Sequence, residues 1–145
     1  MSAQPDQILA DQLRSVLVSF ERDGQAALAQ LATLYDGAVV FRDPLQTLRG
    51  REAFLAMNRR ILTRAHRLSF RVHDALGKDG SVFLTWTMDY EPRTGPTIAF
   101  EGASHARVRA GLIVEQRDYW DLLSSVAASI PVLRRLYARL SQRLG

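Results

Sequence analysis

The chain has 145 residues, 47% of them hydrophobic, which is enough for one domain with a buried core and argues against disorder. It contains no cysteine, which excludes a disulfide framework and thiolate chemistry. The formal net charge of +4 comes from residues 122–145, which hold four arginines and no acid, so we expect no nucleic-acid-binding patch on the main fold.

Helical spacing dominates the first part of the chain. Apolar residues recur every three to four positions over 6–22, and again over 28–35, which predicts two helices. A β-branched and aromatic run at 38–42 predicts a strand, followed by a loop over 45–50. A glycine and an acid then begin a third helix, which reaches residue 62.

The second half changes to the alternation that is typical of strands. Four strands joined by glycine-containing turns are predicted, at 68–73, 82–91, 97–109 and 112–121. Helices segregated from an antiparallel sheet indicate an α+β fold, with one domain over 1–121. Residues 122–145 return to helical spacing with an interruption at Pro131, which predicts a helical extension packed on the same domain or on a dimer partner.

The alternation also predicts which side chains face inward. In the strand over 97–109, Phe100 and Ser104 fall on the apolar face and His105 falls on the other, so we expect His105 outside. The strands over 82–91 and 112–121 mix polar and apolar residues on both faces, and their parity alone does not choose between the faces.

The stretch from Tyr35 to Pro44, followed by the stretch from Gly50 to Phe54, resembles the SnoaL-like branch of the nuclear transport factor 2-like superfamily. The resemblance covers about residues 5–121. It implies a cone-shaped fold, in which three N-terminal helices cover a strongly curved, mixed or antiparallel sheet around a cavity. It also implies an enclosed pocket for a small apolar molecule, and a homodimer formed through the sheet.

Two enzyme groups of this superfamily place acids in the pocket. In ketosteroid isomerases, an acid before proline is the general base, and Asp43 stands in that place. The oxyanion-hole donors of those enzymes fall near Ser19 and Phe20 and on Ser104, which differ from the family's groups.

Limonene epoxide hydrolases resemble the end of the domain. Their motif before the final helix is similar to Arg117–Asp121, so that Asp118 matches the acid that activates water. Asp89 matches the acid that protonates the epoxide, and Thr87 replaces their arginine. The resemblance implies that four side chains point into the cavity, namely Thr87, Asp89, Gln116 and Asp118.

Each acid has a second interpretation. Asp43 is either a base in apolar surroundings or the cap of a turn before Pro44. Asp118 and Asp89 either share a proton and hold a water, or Asp118 pairs with an arginine such as Arg42 and only stabilises the sheet. The arginine-rich terminal helix has two interpretations as well. It either contacts an anionic membrane surface or a partner, or it packs by its leucine face and leaves the arginines solvated.

These observations predict an isomerase or hydrolase that uses carboxylate acid/base catalysis, with Asp43, Asp89 and Asp118 as catalytic residues. The predicted pocket wall comprises eight further residues: Phe41, Phe54, Met57, Thr87, Phe100, Ser104, Gln116 and Trp120. The alternative is a non-catalytic ligand-binding or protein-interaction member of the same fold. We find no metal spacing and no nucleotide motif, and therefore expect no cofactor.

The remaining expectations concern the source and the compartment. Arginine outnumbers lysine 18 to one, which we attribute to the genomic composition of a bacterial source. No apolar run has the length of a membrane span, and the first residues lack a signal-peptide pattern. We therefore expect a soluble, cytoplasmic protein.

Overall fold

Five helices and six strands make up residues 4–144, the part of the chain that the computed structural model describes. The helices are α1 (Pro5–Ser19), α2 (Gly24–Ala32), α3 (Arg51–Arg64), α4 (Leu122–Ser129) and α5 (Pro131–Leu144). The strands are β1 (Tyr35–Arg42), β2 (Thr47–Arg49), β3 (Ala65–Lys78), β4 (Ser81–Pro92), β5 (Ile98–Arg109) and β6 (Leu112–Trp120).

The strands form one mixed sheet in the order β2-β1-β6-β5-β4-β3. β1 runs parallel to β6, and every other neighbouring pair is antiparallel. The register shifts within β1, within β3 and near the end of β5, and such irregularities bend strands and increase their twist. The sheet is therefore curved, with an inner and an outer face.

The first three helices cover the inner face. Leu9, Leu13 and Val16 of α1 are buried, and α1 packs on β3 and β4. Phe54 of α3 packs on Tyr35 and Phe41 of β1. Burial of these apolar side chains drives the helices onto the sheet. The predicted α+β cone is confirmed in this arrangement.

The structure contains one strand that the sequence did not predict, and two strands are longer than predicted. Residues 45–50, predicted as a loop, contain β2, which pairs with β1 between Val40 and Arg49. β1 begins at Tyr35, which was placed at the end of a helix, and β3 begins at Ala65, directly after α3. Gly24 begins α2 because the side chain of Asp23 accepts a hydrogen bond from the backbone of Ala26 at 3.1 Å.

The C-terminal extension is helical and is interrupted at Pro131, as predicted. α4 lies against β5 and buries Ala127, whereas α5 leaves Val132 and Leu136 exposed. The division into segments 1–121 and 122–145 stays a prediction, and residues 1–3 and 145 lie outside the described residues. Between residues 4 and 144, no helix is long and apolar enough to cross a membrane.

The outer face of the sheet carries exposed aromatic side chains. His105 lies on this face, as its parity predicts, and stacks on Phe83 with ring centroids 4.3 Å apart. Phe83 and Tyr119 are each about half exposed. A homodimer formed through this face stays a prediction.

Gly77, near the end of β3, is where the sheet meets the first turn of α1. Its backbone N–H donates to Oε1 of Gln7 at 2.9 Å, and a methyl group at this position would overlap the backbone of Asp6. We expect Gly77→Ala to lower the free energy of unfolding by about 1–3 kcal/mol in urea denaturation, as overpacking usually does. Gly37→Ala is the control, since no atom lies within 4 Å of the added carbon. Equal stability of the two variants would contradict this packing.

Candidate active site

A cavity of about 420 Å³ lies between the three N-terminal helices and the inner face of the sheet. Most of its wall is apolar, with contributions from every covering helix and from all the long strands. Representative side chains are Leu13, Leu31, Phe41, Phe54, Met88 and Phe100. The volume falls in the range of about 300–1,000 Å³ that is typical of small-molecule sites.

One carboxylate stands in this apolar wall within a small polar cluster. Asp118 and Gln116 lie two residues apart on β6 and so share its inner face, and Ser104 lies directly opposite Asp118 on β5. Ser104 Oγ donates to Asp118 Oδ1 at 2.6 Å, and Gln116 Nε2 donates to the same oxygen at 2.8 Å. Both donors hold the carboxylate by one oxygen.

The second oxygen of Asp118 is open to the cavity. Oδ2 has no hydrogen-bond partner among the described residues. Every fully buried polar side-chain atom in that part of the chain does have a partner, so Oδ2 is not one of the fully buried atoms. Because Asp118 also lines the cavity, Oδ2 is accessible from the cavity space. A bound molecule can therefore reach this oxygen.

Burial raises the pKa of Asp118 from its ordinary 3.8 to about 6. The hydrogen bonds from Ser104 and Gln116 favour the charged form and act against this increase, while the negative charge of Asp43 adds to it. A carboxyl with this pKa is mostly ionised at neutral pH, yet it takes up a proton more readily than an ordinary aspartate. Such a group suits general base catalysis near neutral pH.

Two buried aromatic side chains support the cluster from behind. The hydroxyl of Tyr35 donates to Gln116 Oε1 at 2.6 Å, which turns the amide nitrogen toward Asp118. Burial and the charge of Asp118 raise the pKa of Tyr35 well above its ordinary value, so it stays a donor. Trp86 Nε1 donates to Ser104 Oγ at 2.9 Å, which leaves the serine hydrogen for Asp118.

Asp43 also lines the cavity, but one of its oxygens is committed to a turn. Oδ1 accepts the backbone N–H groups of Leu45 and Gln46 at 2.8 and 3.0 Å, the arrangement of an Asp turn before Pro44. Oδ2 lies 3.4 Å from Nε2 of Gln46. These contacts match the interpretation of Asp43 as the cap of a turn, and its role as a general base stays a prediction.

The prediction that Asp89 and Thr87 point into the cavity is wrong. The cavity side of β4 carries Trp86 and Met88, and the alternation of the strand turns Asp89 and Thr87 to the outer face. Asp89 forms an ion pair there with Arg71 at 3.2 Å. Thr87 Oγ1 lies 2.9 Å from Nε2 of His73. These two residues do not join Asp118.

The other predicted wall residues line the cavity. They are Phe41, Phe54, Met57, Phe100, Ser104, Gln116 and Trp120. Sequence reasoning did not identify the roles of Tyr35 and Trp86, which fix the donors of Asp118. A signal was available for Tyr35, because it shares the parity of Phe41 and Asp43 once the strand is extended back to residue 35.

The arginine alternative for Asp118 does not match the observed contacts. Arg42 is exposed and borders a groove on the outer face, whereas the polar partners of Asp118 are Ser104 and Gln116. Over residues 4–144, no cluster of three or more His, Asp or Glu side chains is arranged to hold a metal ion.

Ser104→Ala is expected to raise the pKa of Asp118 further above about 6, because it removes a hydrogen bond that favours the carboxylate. The pKa of the Asp118 carboxyl can be measured by carbon-detected NMR titration. Ser81→Ala is the matched control, since Ser81 contacts His105 on the outer face. A pKa that falls or stays constant in Ser104→Ala would contradict the assigned hydrogen bond.

Residues 19–116 match the family model of the SnoaL-like domain. A comparison with curated proteins found no match.

Solved structures of similar shape come from several bacteria. An LEH-like epoxide hydrolase from M. tuberculosis has a TM-score of 0.69 and 16% identity, covering 91% of this chain and 97% of that one. A protein of ketosteroid isomerase-like fold from Catenulispora acidiphila DSM 44928, in complex with trimethylamine, has a TM-score of 0.69 and 18% identity, with coverage of 83% and 91%. A candidate SnoaL-like polyketide cyclase from Jannaschia sp. CCS1 has a TM-score of 0.69 and 14% identity, with coverage of 89% and 96%. At these identities, the similarity concerns the fold alone.

Proposed function

The chain belongs to the SnoaL-like domain family, and we propose that it is a cofactor-free enzyme in which Asp118 acts as general base on a small apolar molecule. One observation carries the proposal: a carboxylate whose pKa is raised to about 6 has an open oxygen in an apolar cavity of about 420 Å³. A buried carboxylate costs free energy, and perturbed carboxyls in clefts are frequently functional.

The proposed reaction is a proton transfer within the bound molecule. Oδ2 of Asp118 takes a proton from a carbon next to a carbonyl group, and the electron pair of the broken C–H bond moves onto the carbonyl oxygen. The neutral carboxyl then returns the proton to a second carbon, which gives an isomer of the substrate. Ser104 and Gln116 hold Oδ1 throughout, so that Oδ2 stays turned toward the substrate.

Isomerisation is favoured over epoxide hydrolysis by the position of the second acid. Opening an epoxide needs a base for water together with an acid for the epoxide oxygen. The acid expected for that role, Asp89, pairs with Arg71 on the outer face. Asp43 has one oxygen committed to its turn, and its charge acts on Asp118. We therefore assign Asp43 a supporting role in setting the basicity of Asp118.

The proposal is tested by supplying carbonyl compounds and epoxides of matching size. Apolar β,γ-unsaturated ketones are incubated with the protein in D2O, and both the conjugated product and exchange of the carbon-bound hydrogen are followed by NMR. We expect exchange or isomerisation with some of these ketones and no diol from the epoxides. Diol formation would favour a hydrolase instead. Ligand binding without any turnover would favour the non-catalytic alternative.

A further inference from the structure

The cavity has a positively charged end that the proposed chemistry does not use. Arg60 and Arg64 lie one turn apart on α3, and both contribute to the cavity wall while remaining exposed to solvent. Arg93 donates to the backbone oxygen of Thr63 at 3.3 Å and brings a third guanidinium near this end of the helix. We call Arg60 and Arg64 the rim arginines.

The rim arginines have no acidic partner among residues 4–144. The ion pairs in that part of the chain involve other arginines, namely Arg67 with Glu21, Arg71 with Asp89, and Arg107 with Glu115. No side-chain hydrogen bond of Arg60 or Arg64 is present among the described residues either. The two guanidinium groups are therefore available to an anionic ligand. A guanidinium group can bind a carboxylate in a bidentate geometry.

Helix α3 sets the distance between the rim arginines and the polar cluster of Ser104, Gln116 and Asp118. Phe54 of α3 packs on Tyr35 and Phe41, with ring centroids 4.6 and 5.0 Å away, and Tyr35 contacts the cluster through Gln116. Arg60 and Arg64 follow Phe54 along the helix by six and ten residues. At a rise of 1.5 Å per residue, they lie roughly 9 and 15 Å farther along the helix axis.

We propose that the ligand is an amphipathic carboxylic acid, held by the rim arginines with its apolar body in the cavity. The reacting carbon at the other end would lie roughly 9–15 Å from the carboxylate. Only this last point rests on the proposed function of Asp118, because capture of the anion requires no catalysis. The apolar part of the cavity wall, which includes Met57, Ile61 and Phe70, matches an apolar chain or ring system.

The proposal is tested with decanoate and its neutral analogue decanamide, by isothermal titration calorimetry at pH 8. We expect the wild-type protein to bind decanoate more tightly than decanamide, and added salt to reduce this preference. Replacing both rim arginines, in Arg60→Gln/Arg64→Gln, should weaken decanoate binding on the order of tenfold and leave decanamide binding unchanged. Arg59→Gln is the matched control, because Arg59 is exposed on the same helix but does not line the cavity.

A preference for decanoate that survives in the double variant, or disappears equally in Arg59→Gln, would overturn the proposal. So would a wild-type protein that binds both probes equally or neither of them. Asp118→Asn is titrated in parallel and should still prefer decanoate, since in this proposal the rim arginines and not Asp118 hold the anion. Failure of the proposed catalysis and failure of anion capture are therefore separate outcomes.

Discussion

Asp118→Asn is expected to reduce kcat at least on the order of a hundredfold on any ketone that the protein isomerises, the usual effect of losing a general base. Asparagine keeps the shape of the side chain and an oxygen for the donors Ser104 and Gln116. It cannot accept the proton, so binding should persist while turnover is lost. Stopped assays with saturating substrate measure kcat, and calorimetry measures binding.

The pH profile and two further variants sharpen this expectation. In the wild-type protein, kcat/KM should rise with pH and level off above about 6, where Asp118 becomes ionised. Asp89→Asn is the matched control and should keep full activity, since Asp89 lies on the outer face. Asp43→Asn removes a charge that raises the pKa of Asp118, so the acidic limb should move to lower pH. Full activity of Asp118→Asn would refute the assignment.

Strand alternation predicted the candidate site only where one face of a strand is clearly apolar. β5 meets this condition, and Ser104 and His105 lie on the faces that its pattern predicts. β4 carries Phe83, Thr85 and Thr87 on one face and aromatic and aliphatic residues on the other. The resemblance to epoxide hydrolases implies that Thr87 and Asp89 lie on the inner face of β4, but Trp86 and Met88 line the cavity instead. Because successive side chains alternate, assigning the wrong face to a strand reverses all of its side chains. Asp89 was expected beside Asp118, and it instead forms an ion pair with Arg71 on the outer face.

The support behind Asp118 could not be predicted from local patterns. The hydrogen bond from Tyr35 to Gln116 joins residues that are 81 positions apart, and it depends on the parallel pairing of β1 with β6. The parity of β1 can place Tyr35 on the inner face, but nothing in the local sequence indicates that its hydroxyl orients the amide of Gln116. The same holds for Trp86, whose role follows from Ser104 on the neighbouring strand. The fold could be predicted because its helical and strand periods are local properties, whereas these contacts are not.

The pKa of Asp118 also predicts how stability depends on pH. Its folded value of about 6 lies above its ordinary value of 3.8, so the folded state holds the proton more tightly. Below both values the carboxyl is neutral in both states, and the folded state carries no penalty. As the pH rises between them, the unfolded chain ionises first, and the fold loses stability by about 3 kcal/mol from this group alone. Above about 6 the loss is complete.

Asp118→Asn should therefore be more stable than the wild-type protein at pH 7–8, by about 2–3 kcal/mol, and should lose this advantage near pH 4. The reason is that asparagine stays neutral at every pH and keeps the contact with Ser104. Urea denaturation of both proteins across this range measures the difference, and Asp89→Asn controls for the loss of one negative charge. An advantage independent of pH would mean that burial does not raise the pKa of Asp118. A gain of stability combined with a loss of turnover would show that the fold retains a destabilising carboxylate for its chemistry.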